Sequence, residues 1–121
     1  MSLMRKYLFI LLFLPCLANA ESWDTTDKIL GTTALAVMVI DWGQTRYIAQ
    51  HPGVYYERNP LLGRHPSVQG VDLYFASMIV GSALFANYLS SENRKLFLGT
   101  VTAIGISVTA HNRSIGIKIA F

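Results

Sequence analysis

From Leu73 to Ser91 the chain carries no charged residue. That run is close to the roughly 20 apolar residues a helix needs to cross the hydrocarbon of a bilayer. A chain of this size has few places to hide such a segment, because small domains bury proportionally less of their surface than large ones. The rest of the chain agrees: 52% of its 121 residues are hydrophobic and 14% are charged, against about 25% charged in an ordinary soluble domain. The expected class is therefore an all-α membrane protein.

Start and stop signals divide residues 21–121 into one domain of three helices, about 25–50, 67–90 and 92–111, with a short C-terminal tail. Asp24 and Thr25 are good N-cap residues, and His51-Pro52-Gly53 ends the first helix. Pro66 and Ser67 prepare the second, and Ser91 opens the third. The strictly apolar cores of the first and third helices are shorter than that of the second. They reach spanning length if their threonines and serines are tolerated, which is reasonable because hydroxyls bond back to helix carbonyls. None of the three shows the charged face of a soluble amphipathic helix. The expectation is a small bundle of three transmembrane helices.

The first twenty residues read separately. Arg5 and Lys6 precede an apolar core, Tyr7 to Leu17, and the small residues Ala18 and Ala20. This is the pattern of a cleaved signal peptide over residues 1–20, with an uncleaved anchor helix as the alternative. The only cysteine, Cys16, lies in this segment, so a mature chain would have no disulfide or thiol chemistry. Without Arg5 and Lys6, eight basic residues face seven acidic ones. That balance gives no basic face for nucleic acid.

The loop side of the bundle holds Arg46, Arg58, Arg64, Arg113 and Lys118, and the other side holds Lys28, Arg94 and Lys95. Five against three predicts a cytoplasmic "ERNP" loop and C-terminus in a bacterial inner membrane. Export to the periplasm or outer membrane is the alternative. The tail "SIGIKIAF" alternates Ile115, Ile117, Ile119 and Phe121 with strand periodicity. The chain is too short and too helical for a barrel, so an interfacial tail is expected.

Asp41, Gln44 and Thr45 share a helical face at the end of the first apolar core. An acid at that depth is a functional hypothesis by default. Asn59 before Pro60 favours a turn in which the Asn side chain bonds to the backbone two residues on. In the third helix, Gly99, Ala103 and Ser107 recur every four residues, a spacing that lets helices pack closely. The same stripe continues to His111, and Ser77 and Gly81 offer a second small pair. Asp41, Gln44, Glu57, Asn59, His111 and Arg113 thus form a candidate polar cluster. Arg46, Arg58, Arg64 and Arg113 suit a phosphate or lipid headgroup. A purely structural network, with Asp41 or Glu57 paired to an arginine, accounts for the same residues. No paired ligand spacing supports a metal site, and no cofactor is expected.

The three-span layout, the size and the basic tail resemble phage holins of the three-helix type, and that resemblance implies oligomerisation and membrane permeabilisation. The residues themselves favour a small membrane protein that binds a partner or an anionic ligand at its cytoplasmic rim, with a homo-oligomer or a membrane protein as partner besides the lipid bilayer. A holin-like function is the alternative, and an intramembrane metal-dependent enzyme is a distant third.

Overall fold

The computed structural model describes residues 21–121, so the signal-peptide or anchor expectation for residues 1–20 lies outside the described residues. Three helices follow one another: α1 (Thr25–Gln50), α2 (Val68–Tyr88) and α3 (Ser91–Ser114). No strand occurs among the described residues. Each helix begins on a side-chain cap. Asp24 and Asp27 form a capping box at α1, Ser67 accepts from Gly70 N at α2, and Ser90 accepts from Asn93 N at α3. Caps of this kind satisfy N–H groups that have no partner within the helix.

α1 is the spine: it packs against both α2 and α3, which touch each other little. It meets α3 tightly at Gly105, where a Cβ would collide with Val37 Cγ1. The contact face of α3 is therefore the heptad-spaced row Leu98, Gly105 and Asn112. This corrects the packing expected from the small-residue stripes. Gly81 and Gly99 have nothing within 4 Å of an added Cβ, and Ser77, Ala103 and Ser107 are exposed. Ser107 lies two residues from Gly105, about 200° round the helix, so the two face nearly opposite ways.

One end of the bundle is closed by Arg94, which is fully buried. Its guanidinium donates to the carbonyls of Ala86 (2.7 Å), Leu89 (3.0 Å) and Glu21 (2.8 Å), and to Asp27 Oδ2 (3.0 Å). It also lies over the Trp23 ring, 4.9 Å from the centroid, while Trp23 Nε1 donates to Asn87. Arg94 thus satisfies carbonyls left bare at the C-terminus of α2 and ties them to the start of α1. Lys95 bridges Asp24 and Asp27. Hydrogen bonds from Lys95 hold the Asp24 carboxyl below its ordinary range and the Asp27 carboxyl down to about 2, and the two carboxylates hold the ammonium above its own.

At the other end, Gly116 (φ +94°) stops α3. Ile117 N donates to Asn112 O and Gly116 N to Arg113 O, the paired bonds of a Schellman motif. The chain then doubles back on α1: Ile117 is buried, and Ala120 N donates to Gly43 O at 3.0 Å. Phe121 packs on the bare surface of Gly43 and edge-on to Trp42. The alternating tail is thus an extended segment packed against α1.

The charged residues fall into two layers. None lies between Lys28 and Asp41, between Asp72 and Glu92, or between Lys95 and Arg113. At 1.5 Å per residue, Lys28 to Arg46 and Lys95 to Arg113 each rise about 27 Å. Between the layers the outer surface is apolar, with Leu35, Val39, Leu73, Val80, Phe85, Leu96 and Ile106 all exposed. Among the described residues α2 alone is long and apolar enough to cross a membrane, so the structure does not confirm the expected three-span bundle. Threonine, serine and glycine dilute α1 and α3 below that composition. Their threonines are largely masked, since Thr32, Thr33, Thr100 and Thr109 each donate to the carbonyl four residues back.

Candidate functional site

Because α2 and α3 diverge from their junction at Ser90, a fissure opens between them with α1 as its floor. Its larger part is a cavity of about 880 Å³ at the loop end. A smaller cavity of about 330 Å³ continues toward Ala86 and Leu98, and Met38 and Val101 line both. The walls are apolar, from residues such as Val37, Phe75, Met78 and Ile104.

The roof is the turn over residues 54–62. Glu57 N donates to Arg64 O (2.8 Å), closing the loop. Glu57 Oε1 accepts from the backbone N–H groups of Arg58 (2.9 Å) and Asn59 (3.0 Å). Asn59 Oδ1 accepts from Leu61 N at 3.0 Å, the bond expected of an Asn before Pro. Asn59 Nδ2 donates to Tyr74 Oη (2.8 Å), pinning the turn to α2. Gly63 supplies the positive φ of +79° that the reversal requires. Tyr55 Oη donates to Ile115 O (3.1 Å) and so joins the roof to α3.

Asp41, Glu57, Asn59 and His111 all line the polar end of the cavity. Asp41 lies five residues before Arg46, about 7.5 Å inside the charge layer along the helix. Its carboxylate meets only the Thr45 hydroxyl, at 3.4 Å. Gln44 belongs elsewhere: it is buried, donates to Thr109 O (3.0 Å) and accepts from Asn112 Nδ2 (3.0 Å), joining α1 to α3. Arg113 is exposed and does not line the cavity. Neither residue joins the rim cluster expected from the sequence.

The arginines considered for anion binding are mostly committed elsewhere. Arg46 Nη1 donates to both carboxylate oxygens of Asp72 and Arg46 Nε to Ala120 O, while Asp72 also accepts from Trp42 Nε1 (2.7 Å). Arg64 stacks over Tyr56, 4.7 Å from the ring centroid. Arg58 alone of the four lines the cavity. Among the described residues no three His, Cys, Asp or Glu side chains come together to hold a metal ion.

Sequence reasoning missed Tyr74, Asn112 and the buried Arg94–Asp27 pair. Asn112 had a signal, because it lies on the heptad row through Leu98 and Gly105. Tyr74 and Arg94 had none that composition or spacing would single out.

Fold and site together define a three-helix protein with an apolar fissure crowned by polar side chains. Compared with protein families, curated proteins and solved structures, the chain matches none.

Proposed function

We propose that this chain is a small integral membrane protein whose three helices cross the bilayer, and that it holds an amphiphile in the fissure. The apolar chain of the ligand lies between α2 and α3, and its head meets Asp41, Glu57, Asn59 and His111. The observation that carries this reading is the large cavity, apolar along its walls and polar at one end. Two charge layers about 27 Å apart suit a hydrocarbon core of roughly 30 Å. Trp23 and Tyr88 near one layer, and Trp42, Tyr47 and Tyr55 near the other, suit its two interfaces. By the excess of basic residues the loop and the tail face the cytoplasm, as in a bacterial inner membrane.

Mass spectrometry of detergent-purified protein tests the site. One amphiphile per chain is expected, and it should be lost when Met78→Trp and Ser107→Trp fill the cavity from its two walls. Equal occupancy in the filled and parent proteins would refute the reading. Single cysteines at Arg64 and Glu92 should be labelled from opposite sides of the membrane.

A second reading, an oligomerising and permeabilising protein, draws on the open surfaces of Gly81 and Gly99. Dye release from liposomes that is abolished by Gly81→Leu, but not by filling the cavity, would favour it.

A further inference from the structure

The charges around the cavity indicate what kind of head the ligand carries. Asp41 and Glu57 both line the polar end, and no described arginine or lysine lies within 4 Å of either carboxylate. One oxygen of Glu57 is taken by two backbone N–H groups, and Asp41 has only a long contact from Thr45. Both residues are half-buried, and a carboxylate partly withdrawn from water gains from a positive charge that meets it. Nearby cations leave the position open: Arg46 is held by Asp72, Arg64 by the Tyr56 ring, and Arg113 and Lys118 do not line the cavity. Arg58 does line it, but without reaching either carboxylate. Three tyrosines, Tyr55, Tyr56 and Tyr74, border the same end, and aromatic faces favour ammonium groups.

We infer that the amphiphile held in the fissure has a cationic head, an amine or quaternary ammonium, which sits between Asp41 and Glu57 against the tyrosines. This rests on the amphiphile reading above. The tail of the ligand runs along α1 from Asp41 toward Gly31, a depth of about 15 Å through both cavities. The occupant is thus a membrane amphiphile, since a free small amine would leave the apolar length of the fissure unfilled.

Binding to the full chain in maltoside micelles tests this, with three tetradecyl compounds that differ only in the head: trimethylammonium, alcohol and phosphate. Tetramethylammonium serves as the head alone. Native mass spectrometry should show the long-chain ammonium bound one to one and about tenfold tighter than the alcohol, a difference of the size one partly desolvated charge pair gives. Tetramethylammonium should bind far more weakly. The preference over the alcohol should vanish in the Asp41→Asn, Glu57→Gln double variant, checked for unchanged helical content. Equal affinity for the ammonium and the alcohol, a preference for phosphate, or a preference that survives the double substitution would overturn the cationic head while leaving an amphiphile in the fissure. If no tetradecyl compound binds, both readings fall. If tetramethylammonium binds as tightly as the long-chain ammonium, the occupant is a free amine and the inference fails.

Discussion

Replacing Gly116 by alanine should loosen the C-terminal turn by an amount that two features of the structure set. With φ at +94°, Gly116 holds a backbone conformation that side chains disfavour, at about 1–2 kcal/mol for an L residue. The new Cβ would also lie 2.9 Å from the Tyr55 hydroxyl. Displacing that hydroxyl from Ile115 O removes a hydrogen bond worth about 1 kcal/mol. The total is about 2–3 kcal/mol, or roughly 10–20 °C in melting temperature for a domain of this size. Thermal unfolding in maltoside, followed by circular dichroism, measures it. Two controls separate the contributions. Gly63→Ala has φ +79° with nothing within 4 Å and should show the backbone cost alone. Gly81→Ala, in mid-helix with open space around it, should be neutral or stabilising by up to about 1 kcal/mol. In a Tyr55→Phe background Gly116→Ala should cost only the backbone part, a coupling that a double-mutant cycle reads directly. If Gly116→Ala melts no lower than Gly63→Ala, the turn does not hold the tail as described.

The contact between α1 and α3 makes a second test: Gly105→Leu should destabilise by about 1–3 kcal/mol or more through overpacking, Val37→Ala should partly rescue it, and Gly99→Leu should be tolerated. At the opposite end, Arg94→Met should lower the melting temperature well beyond Lys95→Ala, since it strips the carbonyls of α2 of their donor. The pH profile follows from the same end. Asp24 and Asp27 are held below their ordinary value, so their stabilisation is full above about pH 4 and is lost as pH falls toward 2. Lys95 is held above its ordinary 10.5, so its contribution is full below that value and is lost only as pH rises beyond it. In the Asp41→Asn variant, where these three groups dominate, melting temperature should therefore be level from about pH 5 to 9 and fall at both extremes, and a midpoint near neutrality would contradict this assignment.

The helices were legible because Pro52, Gly53 and Pro66 punctuate the chain and Asp24 and Ser67 cap the first two; the cap of the third, Ser90, was not foreseen. α3 runs about a turn further than expected, to Ser114, and Gly116 stops it. The small-residue stripe misled because glycine occurs on two faces of α3: Gly99 borders open space, whereas Gly105 meets Val37. The same stripe brought Ser107 and His111 to the fissure, a gap between helices where close contact was expected. The tail's placement on α1 was not legible, because period-two alternation describes any extended segment with one buried side, whether its partner is a strand or a helix. Arg46 was counted as a free loop cation, and only the fold brings Asp72, twenty-six residues away, to meet it.

The two charge layers have one more consequence. Arg46–Asp72 locks one layer and the Arg94–Asp27–Lys95 cluster locks the other, with rigid helices between them. Such a body works as a caliper: it cannot stretch to match a thicker film. On the proposed membrane placement, a bilayer whose hydrocarbon exceeds about 27 Å must thin around it, or the flanking charged side chains must reach outward to the interface, at a fraction of a kcal/mol for each ångström of mismatch. Short-chain lipids should therefore gather at its perimeter, a sorting by length that no residue of the fissure has to perform.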